Sequence, residues 1–175
     1  MPFPRSIIFI IATLVTGAGF AADAPHRLSE SITITGAVEQ PLTLSVADLQ
    51  TLNTQYIEKV DMVCMRGIHR GTKEDLQGVL LRDILEKAQL KAASPRDFRK
   101  MVFVAKATDD YKVVFSWGEV FNAAAGDEVM VYYGQGGEPL SEAEGLIALI
   151  TPTDTRTGPR HVKWLNEIEV VQIAD

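Results

Sequence analysis

A chain of 175 residues, of which 46% are hydrophobic and 23% are charged, is long enough for one globular domain with an ordinary core. Lysine and arginine total 17 against 23 aspartate and glutamate residues, so the formal net charge is −6. An acidic domain of this size argues against nucleic acid as a partner.

The N-terminal residues have the layout of a secretory signal peptide. Arg5 is followed by an uncharged apolar run over residues 6–15, and small residues precede Ala22. The apolar run is short for a membrane span, and an uncleaved anchor is the alternative interpretation. We therefore expect a signal peptide at residues 1–22 and an exported domain at residues 23–175.

Alternation of apolar and polar residues predicts strands over residues 31–38 and 55–63. Between them, residues 42–44 are expected to be extended, and Ser45 is expected to cap a helix over residues 46–52. Apolar residues at helical spacing predict a further helix from Leu80 to Ala88.

The second half of the chain predicts mostly strands. Residues 100–107 and 111–116 are expected to form a hairpin around Asp109, and Ser116 is expected to cap a short helix. Further strands are predicted over residues 128–133, 146–150 and about 162–172, the last with Val162 and Trp164 facing the core. The fold class is therefore α+β, mainly β with short helices.

Cys64 is the only cysteine and follows directly on the strand predicted over residues 55–63. An intramolecular disulfide is impossible, although export implies an oxidising compartment. The thiol is buried and inert, or bridges to another chain, or is a ligand for a metal or cofactor.

Two segments without carboxylates carry much of the positive charge. One covers residues 65–73 and the other residues 155–164, and their candidate ligand-binding side chains are Arg66, His69, Arg70, Arg160, His161 and Lys163. Guanidinium and ammonium groups only donate hydrogen bonds, so a shared pocket would take an anionic or acceptor-rich ligand. The alternative is two unrelated solvated loops. Residues 113–155 contain no lysine or arginine, which predicts a solvated acidic face or a surface that steers a basic partner.

If Cys64 shares that pocket, Arg66 and His69 would lower its pKa and favour the thiolate, which binds metals. A soft or high-valent metal would suit a single thiolate. Zinc is disfavoured because the cysteine and the histidines show none of the short ligand spacings of a zinc site.

Several blocks of the chain resemble the molybdopterin-binding domain of the sulfite oxidase family. They are Cys64 at a strand end, residues 77–85 (QGVLLRDIL), residues 111–115 (YKVVF), residues 137–140 (GEPL) and residues 158–165 (GPRHVKWL). The resemblance implies the mixed fold of that family, with a molybdopterin or related pterin lying across the two basic segments. It also implies that Cys64 stands where the family has its molybdenum ligand, and that Arg160 and Lys163 lie near the cofactor's phosphate.

The chain is also similar to a smaller group of single-domain exported relatives in proteobacteria. These bind a reduced pterin without molybdenum and report it to a membrane-bound cyclic-di-GMP enzyme through that enzyme's periplasmic domain. The resemblance implies a periplasmic pterin-binding regulator without catalytic residues, in which Tyr111, Trp117 or Trp164 stacks on the ring. The alternatives are a molybdenum-dependent oxidoreductase with Cys64 as metal ligand, and a domain that has kept the fold and lost the ligand.

Overall fold

The computed structural model describes residues 28–173. Its strands are β1 (Ser31–Gly36), β2 (Leu42–Ser45), β3 (Thr54–Val63), β4 (His69–Leu80), β5 (Met101–Ala107), β6 (Lys112–Ser116), β7 (Met130–Gln135), β8 (Glu138–Pro139), β9 (Ala148–Ile150) and β10 (Leu165–Gln172). Its α-helices are α1 (Val46–Gln50), α2 (Leu81–Ala88) and α3 (Trp117–Phe121). Short 3-10 helices cover Pro95–Lys100, Ala124–Asp127 and Gly158–Arg160.

The strands form two sheets. The first is five-stranded with the order β2-β1-β10-β5-β6, in which β1 and β10 are parallel and the other neighbours antiparallel. In the second sheet β3, β4 and β7 are antiparallel neighbours, and both β8 and β9 pair with β7. The predicted mainly β architecture with short helices is confirmed.

The core is divided by the second sheet. Val131 and Tyr133 of β7 belong to the larger cluster, which also contains inward-facing residues of the first sheet and of α2, whereas Met130 and Tyr132 belong to a smaller one. Because β7 is buried on both faces, its sequence is a continuous apolar run and not an alternating one. The large side chains of the main cluster include Ile32, Ile34, Leu49, Leu81, Ile84, Leu85, Phe103 and Phe115.

Two helices begin as their cap residues predict. Ser45 and Asp48 form a capping box at α1, and Ser116 and Glu119 form another at α3. The helix predicted from Leu80 is confirmed as α2, which buries Leu81, Ile84, Leu85 and Ala88. The predicted hairpin over residues 100–116 is confirmed as the antiparallel pair β5 and β6.

Two details of the prediction are wrong. The segment over residues 65–73 is not one loop, because β4 begins at His69 and pairs Lys73 with Val60 of β3. The last strand begins at Leu165, and Trp164 is only partly buried with a φ of 48°. That left-handed backbone angle is incompatible with a strand, so the chain turns at Trp164 before β10 starts.

The predicted signal peptide lies outside the described residues. Within residues 28–173, no helix is long and apolar enough to cross a membrane.

Candidate functional site

Cys64 begins the tight turn that joins β3 to β4. Its backbone N–H donates to the carbonyl of Ile68 at 3.0 Å, and its own carbonyl accepts from the N–H of Gly67 at 2.8 Å. Gly67 has a φ of 80°, which a residue with a side chain rarely adopts. The sequence prediction that a strand end presents this thiol is confirmed.

The turn lowers the pKa of the Cys64 thiol. The backbone N–H of Ile68 has the largest effect that favours the thiolate, and the N–H of Arg66 and the guanidinium of Arg70 add to it. These contributions outweigh the partial desolvation of the sulfur, which acts in the opposite direction. The half-exposed thiol is therefore suited to act as a thiolate ligand or nucleophile.

The C-terminal basic segment lies directly against this turn. The Thr157 hydroxyl accepts from the N–H of Val63 at 2.9 Å and donates to the carbonyl of Asp61 at 2.6 Å. A Cβ added to Gly158 would lie 3.0 Å from the Val63 oxygen and 3.4 Å from the Cα of Cys64. The fold thus brings together the two basic segments that the sequence singled out.

Three exposed arginines belong to these adjoining segments, and we call Arg66, Arg70 and Arg156 the arginine patch. Arg70 hydrogen-bonds the Cys64 thiol, and Arg156 Nη2 lies 3.8 Å from the position of a Cβ added to Gly67. None of the three forms an ion pair with a carboxylate in residues 28–173. The patch is therefore a local surplus of positive charge on an acidic protein.

Arg160 is placed differently. Its Nε donates to Asp154 at 2.8 Å and its Nη1 to Glu119 at 2.9 Å, and the guanidinium lies 4.7 Å from the centre of the Phe115 ring. Both carboxylates come from the segment without lysine or arginine, so part of that segment is not the solvated acidic face that the sequence suggested. The guanidinium fork already binds the chain's own carboxylates.

The carboxylate of Glu144 organises a second group of charges, the Glu144 cluster. Lys163 Nζ lies 2.8 Å from Oε1, whereas Lys73 Nζ and the Tyr132 hydroxyl each lie 3.0 Å from Oε2. His161 Nε2 lies 3.2 Å from the same Oε2 and 2.7 Å from the Tyr132 hydroxyl. Two of the predicted site residues, His161 and Lys163, are therefore anchored to one carboxylate.

The cluster keeps Glu144 ionised. Burial acts to raise its pKa, but hydrogen bonds from His161, Lys163 and Lys73 outweigh burial and hold the pKa far below its ordinary value. Burial and the neighbouring carboxylate raise the pKa of Tyr132 well above its ordinary value, so this phenol stays protonated.

A cleft of about 270 Å³ opens beside the Glu144 cluster and is lined by Asp109, Tyr111, Gly158, His161, Lys163 and Trp164. The Tyr111 hydroxyl donates to the carbonyl of Pro159 at 2.7 Å, and Trp164 Nε1 donates to the carbonyl of Glu142 at 2.9 Å. These bonds hold two aromatic side chains at the cleft. Gly158 lines the cleft and also lies beside Val63 and Cys64, so the cleft borders the turn that carries the thiol.

Two other residues that the sequence predicted to bind the ligand, Trp117 and His69, do not line the cleft. Trp117 stacks between Phe98 and Phe121, with ring centroids 6.4 and 5.8 Å away, and lines a separate apolar groove. His69 is exposed and lies 3.5 Å from Asp61. Trp117 is therefore not available to stack on a ligand in this cleft, and His69 faces a carboxylate.

The sequence interpretation missed three contributors to the site. Glu144 was counted only within an acidic stretch, Tyr132 was assigned to a strand, and Thr157 was given no role. The two basic segments lack carboxylates, and the acidic stretch lacks lysine and arginine. This complementary charge could have predicted ion pairs between the basic segments and the acidic stretch. No signal in the sequence singles out Thr157, whose role depends on the open edge of β3.

Comparison with known proteins relates the chain to molybdopterin-binding domains. Residues 22–174 match the family model described as oxidoreductase molybdopterin binding domain. The fold is similar to the sulfane dehydrogenase SoxCD from Paracoccus pantotrophus, with a TM-score of 0.62, 20% identity, and coverage of 91% of this chain and 41% of that one. This chain thus spans about two fifths of that protein's length. A comparison with curated protein sequences gives no match.

Proposed function

The chain belongs to the oxidoreductase molybdopterin binding domain family, and from that premise we propose that it is a periplasmic pterin-binding protein with a sensory or regulatory role. The pterin lies across the cleft and the arginine patch, next to Cys64. The ligand is a reduced pterin or a molybdopterin.

The residues present fit a pterin. Its flat bicyclic ring suits a cleft with Tyr111 and Trp164 among its lining residues, and the cleft's volume of about 270 Å³ suits a small ring system. A phosphate or other anionic tail suits the arginine patch, because guanidinium groups bind such oxygens through paired donors.

One observation favours binding over catalysis. Arg160, His161 and Lys163 are bound to Asp154, Glu119 and Glu144. The arginine patch is needed for the anionic tail of the cofactor. Among the residues that line the cleft, only Lys163 and His161 could serve an oxyanion substrate, and both already bind Glu144. These pairings support the proposed pterin-binding role.

A partner protein is part of the proposal, by resemblance to the single-domain exported relatives. Met65 and Ile68, in the turn that begins at Cys64, expose 65% and 50% of their surface. Exposed methionine and isoleucine beside arginines have the composition of a protein-contact surface. The proposed partner is the periplasmic domain of a membrane-bound cyclic-di-GMP enzyme.

A molybdenum-dependent oxidoreductase is the second candidate, favoured by the accessible thiol of Cys64 with its lowered pKa. In that case Cys64 would ligate the metal, and the molybdenum cofactor would supply the redox chemistry. Arg70, which hydrogen-bonds the thiol, would keep the sulfur in its thiolate form.

The test is analysis of the mature protein purified from the periplasm of its host. We expect a pterin by mass spectrometry and fluorescence, with far less molybdenum than protein by elemental analysis. Near-stoichiometric molybdenum would favour the oxidoreductase, and the absence of any pterin would contradict both candidates. Cys64→Ser sharpens the comparison, because pterin content should survive in a binding protein and be lost where the thiolate anchors the metal.

A further inference from the structure

We propose that the open edge of β3 binds an extended segment of a partner protein, and that a lysine or arginine of this segment enters the pocket beside Tyr56. The segment joins the second sheet as an additional strand, through backbone hydrogen bonds. The lining of this pocket shares no residue with the cleft or the arginine patch, so the inference does not depend on a bound pterin.

The edge of β3 is open over most of the strand. The strand has 10 residues, from Thr54 to Val63, and pairs only with β4. The hydroxyl of Thr157 binds the backbone of Asp61 and Val63 at the C-terminal end. The backbone of residues 54–60 has no hydrogen bond to any described residue outside β4. This part of the edge can therefore accept a further strand.

Tyr56 is the most exposed large hydrophobic side chain of residues 28–173, at 72%. It borders a pocket of about 280 Å³ whose other lining residues are Gln55, Ile57, Leu80, Asp127, Glu128 and Met130. The pocket thus extends from the open edge to the last residue of β4 and the first residue of β7. An exposed tyrosine beside a concave pocket is typical of the residues that contribute most to protein binding.

The pocket fits a long basic side chain. Apolar residues of β3, β4 and β7 line it, and they suit the aliphatic part of a lysine or arginine. Asp127 is bound to Arg82, but Glu128 is exposed and forms no ion pair with a described cation. Glu128 belongs to residues 113–155, which the sequence suggested as a surface that steers a basic partner. Its carboxylate is available to a cation of the partner.

The neighbouring charges on the sheet also favour a basic segment. Glu58, two residues after Tyr56, is exposed and lies opposite Asp75 of β4, a second exposed carboxylate. Neither forms an ion pair within the described residues. Lys59 is the one cation in the sequence from 54 to 60, and it lies opposite Glu74 of β4. The open edge is therefore acidic, and a basic strand complements it.

A second copy of this chain is a poorer occupant. Its own β3 would bring the same carboxylates to the edge, and like charges on neighbouring strands repel each other. A partner segment that alternates apolar and polar residues around a lysine or arginine has no such conflict.

The experiment selects random dodecapeptides, displayed on phage, against the immobilised mature protein. We expect the selected peptides to share a lysine or arginine between residues that favour strands. In calorimetric titrations, the synthetic peptides should bind Tyr56→Ala roughly tenfold and Glu128→Gln about fivefold more weakly than the wild type. The matched controls are Val114→Ala, exposed on the edge strand β6, and Glu138→Gln, an exposed carboxylate outside the pocket. Both controls should bind as the wild type does.

Hydrogen exchange then locates the contact. The bound peptide should protect backbone amides within residues 54–60, because an added strand accepts hydrogen bonds from their N–H groups. Three results would overturn the proposal: failure to select any peptide, selected peptides without a basic residue, and protection confined to other segments. Self-association of the protein that is lost in Tyr56→Ala would also overturn it, because the occupant would then be a second copy.

Discussion

The hydroxyl of Thr157 accepts a hydrogen bond from the backbone N–H of Val63 at 2.9 Å. Val63 is the last residue of β3, which pairs only with β4 and is therefore an edge strand. The same hydroxyl donates to the carbonyl of Asp61, so one side chain satisfies two backbone groups at that edge. This contact joins the segment that carries Cys64 to the segment that carries Arg156 and lines the cleft.

Thr157→Val should separate the two segments. The side chain is nearly completely buried, and valine of similar shape would leave two backbone groups unpaired, at a cost of about 2 kcal/mol. Urea unfolding measures the free energy of unfolding of the variant. A pterin titration should show that the variant binds the pterin more weakly than the wild type. Thr157→Ser keeps the hydroxyl and is the matched control. Equal stability of the valine and serine variants would contradict this role.

Replacement of Arg160 should lower the stability of the fold, whereas replacement of Arg156 should weaken ligand binding. Arg160→Met leaves Asp154 and Glu119 without their partner and should cost about 2 kcal/mol of stability, discounted for partial exposure. Arg156→Ala should change stability by less than about 0.5 kcal/mol and weaken binding of an anionic pterin.

Thermal unfolding and ligand titration of both variants measure these effects. Arg96→Ala is the control for loss of an exposed arginine outside the patch. Full ligand affinity in the Arg156 variant would show that the arginine patch does not hold the anionic end.

The reactivity of Cys64 should show a lowered pKa. The rate of alkylation by iodoacetamide follows the thiolate fraction, so its midpoint should lie below that of an ordinary thiol. Arg70→Gln should raise the midpoint, because it removes a hydrogen bond and a positive charge from the thiolate. Arg66→Gln keeps the backbone N–H that contacts the sulfur and should leave the midpoint close to that of the wild type. A larger change for Arg66 than for Arg70 would contradict the geometry.

Glu144 should make the stability depend on acid pH. Its pKa is depressed in the folded state, so its contribution is present above the unfolded value of about 4.5 and is lost as the pH falls toward the folded value. The free energy of unfolding of the wild type should exceed that of Glu144→Gln at neutral pH, and the difference should shrink below about pH 4.5.

Urea unfolding at a series of pH values measures this difference, with Glu142→Gln as the control. A difference that stays constant down to strongly acidic pH would show that the ionised carboxylate does not stabilise the fold.

Much of the local structure could be predicted because its signals lie within a few residues. Ser45 and Ser116 predicted the starts of α1 and α3 as cap residues. Each forms a capping box with the acidic residue three positions later, Asp48 or Glu119. The alternation over residues 55–63 placed Cys64 at a strand end. Trp164 was predicted in the core because alternation was extended past a residue whose φ is positive. The sequence does not reveal that angle.

The sequence by itself determined most of the element types, the family resemblance and the two basic segments. Only the tertiary structure decided which of their cations remain available to a ligand. Arg160 forms an ion pair with Glu119, and Lys73 forms one with Glu144, whereas Arg156 forms none with a carboxylate among residues 28–173. Ion pairing depends on distances of a few ångströms between side chains that are far apart along the chain, and these distances arise only when the two sheets pack.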